Sequence, residues 1–179
     1  MAHSRNWHRV MARVASSTVP FIAAMSGAVM GGGLEFAAAC HVRVAEQSVR
    51  FQMPEGLRGI FVGGGGSVRI SRLIGPDRMT EMMLTGRTYD GAEGERLGLA
   101  HYLVPEGAAP DKAFELAGRI ASNSPTINGF IIQAIAQIGS MPPEAGLYAE
   151  SLTAALSQTG PDAEEGLRAF LEKRAPVFR

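Results

Sequence analysis

PFIAAMSGAVMGGGLEFAAACHVRVAEQSVRFQMPE, residues 20–55, is the stretch on which the fold of this chain turns. Pro20 to Met25 is an apolar run of buried-strand type. Three consecutive glycines, Gly31, Gly32 and Gly33, follow. A small-residue helical run, Leu34 to Cys40, carries one carboxylate, Glu35. A β-type run, Val49 to Gln52, then leads to a loop with a second carboxylate, Glu55. Glycines let backbone approach a ligand closely and take up positive φ. N–H groups at the start of a helix lack intrahelical partners and sit at the positive end of its dipole, so they can hold a developing anion. A carboxylate one turn further in, among Leu, Phe and Ala, is poorly solvated and suited to proton transfer.

Around this stretch the pattern continues. Trp7, Val10, Met11, Val14 and Ala15 fall at i, i+3, i+4, i+7 and i+8, which predicts an amphipathic helix ending near Ser16–Ser17, because Pro20 disfavours helix at Val19. His41 to Ala45 reads as a second strand. Gly63 to Gly66 is a four-glycine run. No G-K-S/T follows it, so it is no phosphate loop, and Arg69 stands where a nucleophile elbow needs glycine. It reads as a turn opening a helix from Ser67 to Ile74, stopped by Gly75. Pro76 opens another helix with Met79, Met82 and Met83 as core filler. Asp90 caps a short helix to Leu97, and Tyr102 to Val104 reads as the last strand. Beyond Pro105 only helices are expected: Lys112 to Ala121, Ile127 to Ile138 (Ser124 as N-cap, Pro125 at N1, Gly139 after it), Glu144 to Gln158, and Ala163 to Arg174 behind an Asp162–Glu165 capping box. The broad apolar face of Ile127, Phe130, Ile131, Ala134, Ile135 and Ile138 suits packing on its own domain or on another subunit equally.

The chain has 179 residues, 46% of them hydrophobic and 19% charged, ample for a core. Its formal net charge is zero, so no global field favours nucleic acid or a membrane surface. Residues 19–40 are apolar enough to raise a membrane span, but the triple glycine and Glu35 argue against one. One cysteine, Cys40, excludes an internal disulfide, fits a reducing compartment, and in an apolar helix is expected to be inert. The N-terminus has no signal-peptide apolar core, which suggests a cytoplasmic protein. No histidine has ligand spacing with Cys or acids, so no metal is predicted.

Four pieces, PFIAAMSGAVMGGGLEFAAAC, FQMPEGLRGIFVGGGGSVRI, MMLTGRTYDGAEGERLGLAHYLV and AFLEKRAPVF, resemble the enoyl-CoA hydratase/isomerase (crotonase) family. The resemblance runs from about Trp7 to the C-terminus and implies the later two thirds of a family member. It implies an α/β fold, a crotonase-like ββα spiral core over residues 1–105 lacking its N-terminal strands, and a helical oligomerisation region over residues 106–179. The implied activity is addition of water to a 2-enoyl-CoA thioester, with coenzyme A entering as part of the substrate and no other cofactor. Glu35 and Glu55 match the two acids that contact the added water, Gly32 one oxyanion donor, Gly63 a backbone position near that water, and Lys173 a lysine that approaches the CoA phosphates. Which acid takes which proton is left open. The family's habit implies a homotrimer or dimer of trimers. An isomerase or other CoA-thioester enzyme, or a non-catalytic fragment or subunit, are the alternatives. The second oxyanion donor belongs to an N-terminal loop absent from this sequence, which predicts an open sheet edge beside Phe21 to Met25. His41 stands where relatives often carry Asp, a change expected to be structural.

Overall fold

The computed structural model describes residues 2–178, in two compact units. The first comprises the chain up to Ala15 together with Phe21–Leu116 and is mixed α/β; the second takes Ser16–Pro20 and the chain from Ala117 onward and is helical where it is regular.

In the first unit α1 spans Ala2–Ala15. Met11 and Val14 are buried against Ala39 and Cys40, whereas Trp7 and Val10 are exposed, so the apolar stripe is narrower than its spacing predicts. The expected strands appear as β1 (Ile22–Met25), β3 (Val42–Glu46), β4 (Arg50–Gln52) and β6 (Tyr102–Val104). Two short strands escaped the sequence reading: β2 (Ala28–Met30), hidden in the run before the glycines, and β5 (Tyr89–Asp90). With them the strands form two three-stranded sheets, β1-β3-β6 and β2-β4-β5. Pairing is parallel except β4–β5, and Val44, Ala45 and Phe51 are fully buried. β1 and β2 stand at the ends of their sheets, so among the described residues each is paired along one side only.

The helices follow local signals. α2 (Gly32–Ala37) begins on the glycines themselves and stops before Cys40. α3 (Gly66–Ile74) is entered through Gly65, at φ 101°, and left through Gly75. α4 (Pro76–Thr85) buries Met79 and Met82 in the main core beside Phe51, Met53 and Ile70. α5 (Gly91–Leu97) has a complete capping box, Asp90 accepting from the Glu93 N–H and Glu93 from the Asp90 N–H. α6 (Ala109–Ala121) does not begin a separate helical domain at residue 106, as the composition change suggests. Ala109 and Leu116 pack on Val44, and the buried Glu46 carboxylate accepts the Ala109 N–H, so the first unit runs to Leu116.

The second unit holds α7 (Pro125–Ile138), α8 (Pro143–Ser157) and α9 (Pro161–Leu171). Ser124 caps α7 by accepting the Ile127 N–H. The capping box expected at Asp162 and Glu165 does not form. Pro161 moves the start of α9 forward, Asp162 accepts the Ser124 hydroxyl, and Glu165 pairs with Arg174 and the Val177 N–H. Ile131 and Ile135 of α7 and Leu152 and Leu156 of α8 remain exposed.

Candidate active site

Parallel pairing places the site. Because Met30 of β2 lies opposite Gln52 of β4, the segments leaving both strands emerge at the same end of the sheet. Clefts outside the carboxyl ends of parallel strands are where α/β folds bind ligands. Gly31 ties the two exits: its N–H donates to the Gln52 carbonyl at 3.0 Å, and its own carbonyl accepts the Glu35 N–H at 2.9 Å. Gly31 has φ 51°, in the region that favours glycine. The turn carries the chain into α2 and brings Glu35 beside the loop of Glu55.

Glu35 is 5% exposed. One of its oxygens, Oε1, accepts two backbone N–H groups, from Gly64 and Gly66, both at 2.8 Å. This orients the carboxylate and leaves Oε2 for a further partner. The four-glycine run thereby acquires a reason beyond turn geometry. A Cβ on Gly64 would lie 2.6 Å from Glu35 Oε2, and one on Gly66 would lie 2.9 Å from Oε1. Only glycine admits the carboxylate at both places.

Glu55 sits at the head of a 3-10 turn, Gly56–Arg58, with its carbonyl accepting the N–H groups of Arg58 and Ile60. Its side chain is buried, and Oε2 has no hydrogen-bond partner. Burial raises the Glu55 carboxyl above its ordinary range; its own backbone hydrogen bond opposes this, and the Glu35 carboxylate adds to the rise. The two acids are therefore neighbours in different settings, one held by two donors, the other buried without a donor on one oxygen. Environments that separate two carboxyls in this way suit an acid and base pair.

Gly32 and Gly33 are exposed at the head of α2, and nothing stands within 4 Å of a Cβ built on either. Gly63 lies one residue before the Glu35 contacts, and its carbonyl accepts the Ser4 hydroxyl at 2.8 Å. Gly64 and Gly66, not Gly63, touch Glu35; sequence reasoning missed both because the run looks locally like a turn. Lys173 belongs to the second unit. It lies past the end of α9 rather than in its last turn, exposed, at φ 54°.

The remaining candidates are structural. His41 Nδ1 accepts the Phe21 N–H at 2.9 Å while the His41 N–H donates to the Phe21 carbonyl. Cys40 is buried, which pushes its thiol up, with Arg43 opposing. The buried Arg43 donates to the carbonyls of Leu99, Cys40 and Gly98. Among the described residues no three His, Cys, Asp or Glu side chains group as metal ligands, and no helix is long and apolar enough to cross a membrane.

Comparison with known proteins agrees with this architecture. The family model described as enoyl-CoA hydratase/isomerase matches residues 2–179. An enoyl-CoA hydratase of Mycobacterium tuberculosis is 36% identical over 162 residues, which cover 90% of this chain and 61% of the relative. A 2,3-dehydroadipyl-CoA hydratase of Escherichia coli is 33% identical, covering 96% of this chain and 67% of the relative. Among solved structures, a provisionally named enoyl-CoA hydratase of Rhodopseudomonas palustris superposes with a TM-score of 0.94 at 52% identity, over 96% of this chain and 67% of that one. The enoyl-CoA hydratase of Bacillus anthracis does so with a TM-score of 0.93 at 34% identity, over 98% and 68%. The chain spans 54 to 61% of the length of three of the curated relatives it matches. The glycine-bounded carboxylate pair at the end of a parallel strand pair, the match along the described chain and the superpositions agree: this chain belongs to the enoyl-CoA hydratase/isomerase family and has its crotonase-like α/β fold.

Proposed function

We propose that the protein hydrates a 2-enoyl-CoA thioester, with Glu35 and Glu55 handling the protons of one water. The observation that carries this reading is the contrast between the two acids: Glu35 oriented by two N–H donors, and Glu55 buried with Oε2 unpartnered. Burial shifts Glu55 toward its protonated form, which suits it to the role of proton donor. Water bound between the acids gives a proton to Glu35 as its oxygen bonds to C3. The electron pair of the double bond moves onto the thioester, whose oxygen becomes enolate-like and accepts the Gly32 N–H. Glu55 then delivers its proton to C2. A proton passing from Glu35 to Glu55 restores the starting pair, so the sum is one water added across one double bond.

The assignment of Lys173 to the CoA phosphates is part of the same proposal, supported by its exposure beyond α9. So is a homo-oligomer, trimer or dimer of trimers, supported by the exposed apolar residues of α7 and α8. The deciding experiment is turnover of a short and a long 2-enoyl-CoA by the purified protein, beside Glu35→Gln and Glu55→Gln. Each variant is expected to lose about 10²- to 10⁴-fold in rate while remaining folded. Near-normal hydration by either variant rules the assignment out. Light scattering that gives a monomer at micromolar concentration removes the oligomer.

A further inference from the structure

We propose that Arg69 is a positioning residue for Glu35: its guanidinium grips the Gly64 peptide, so that the Gly64 and Gly66 N–H groups stay aimed at the carboxylate. The proposal rests on the reading of Glu35 as the group that takes the water proton.

The geometry is a closed circuit through backbone. Arg69 is the fourth residue of α3, and its backbone N–H donates to the Gly65 carbonyl at 3.0 Å. Its side chain folds back over the entry turn, and Nη1 donates to the Gly64 carbonyl at 3.2 Å. The same Gly64 peptide unit lies next to the N–H that reaches Glu35 Oε1 at 2.8 Å. Arg69 therefore fixes the turn from its carbonyl side while Glu35 occupies its amide side. Gly65 makes this possible. At φ 101° it opens the turn, and a Cβ there would collide with Arg69 Nη1.

Charge reinforces the geometry. Partial burial lowers the Arg69 pKa; the Glu35 carboxylate counters this and Arg72 adds to it. Arg69 and Glu55 both lie close enough to Glu35 to interact with its charge. The turn holds the direction of the Glu35 carboxylate. Arg69 touches no reacting atom in this scheme; it acts through Gly64.

The test compares the full chain with Arg69→Gln and Arg69→Lys, using kcat and KM for a 2-enoyl-CoA and amide hydrogen exchange at Gly64 and Gly66. Arg69→Gln is expected to lower kcat by about ten- to a hundredfold, the scale of a small misplacement of a catalytic group, with KM within about twofold. Both amides exchange faster. Arg69→Lys keeps the charge without the fork, so it does not restore amide protection. A purely structural role does not move the split between kcat and KM. Wild-type kcat and amide protection in Arg69→Gln overturn the proposal. If the wild-type chain hydrates no enoyl-CoA, the hydratase reading fails, and amide exchange still decides the role of Arg69. If Arg69→Gln does not fold, Arg69→Lys decides by the same exchange: unchanged protection at Gly64 and Gly66 overturns the proposal.

Discussion

Gly31 and Glu55 are in contact across the site: a Cβ built on Gly31 would lie 2.9 Å from Glu55 Oε1. The glycine turn is thus shaped around a carboxylate 24 positions later in the chain. Gly31→Ala combines this collision with φ 51°, a conformation in which a side chain costs roughly 1–2 kcal/mol. We expect a stability loss of about 1–3 kcal/mol in urea unfolding together with loss of hydration. A variant with wild-type midpoint and turnover contradicts the contact.

Glu55 has a calculable pH signature. Its folded pKa is raised, so the folded state takes up a proton more readily than the unfolded chain. Its contribution is complete below the ordinary value of 4.5 and is lost as pH rises through the folded value. Glu55→Gln should therefore melt above wild type at pH 7 to 8, with the gap closing toward pH 4, while activity falls. A variant that melts below wild type at neutral pH, with its fold intact, refutes the unfavourable burial of the carboxylate.

His41 and His101 repeat one device at the entries of two neighbouring strands, β3 and β6. Each accepts a backbone N–H at Nδ1, from Phe21 and Arg43 respectively, and each returns its own N–H to the same residue's carbonyl. Both pKa values are lowered, chiefly by burial; the Ala15 carbonyl counters this at His41, and the Arg43 guanidinium adds to it at His101. Their stabilisation is complete above about 6.5 and is lost as pH falls through the folded values. Thermal melts between pH 8 and 5 should show wild type losing stability on acidification, and His41→Asn with His101→Asn losing less. Superimposable profiles reject the device.

Gly94 shows how tightly α5 meets the core. A Cβ there would run into the ring of the fully buried Phe51. Gly94→Ala should cost about 1–3 kcal/mol through overpacking, although alanine is the better helix former. Denaturant titration checks this; a more stable variant means the ring moves aside freely.

What the sequence determined by itself was what local chemistry encodes. The Asp90 and Ser124 caps, the proline-led starts of α4 and α7, four of the six strands, and the setting of Glu35 behind three glycines depend on residues within a few positions of one another. The family resemblance added Glu55, which alone reads as an ordinary loop acid. The tertiary structure decided the rest. Strand β2 exists because β4 pairs with it, and the boundary at Leu116 because α6 packs on Val44. Gly64 and Gly66 became Glu35 ligands only when α3 met α2, some 30 residues apart in sequence. Burial pattern and caps are written in side chains at short range; a backbone N–H carries no residue-specific mark, so where it points is fixed only by how the elements pack.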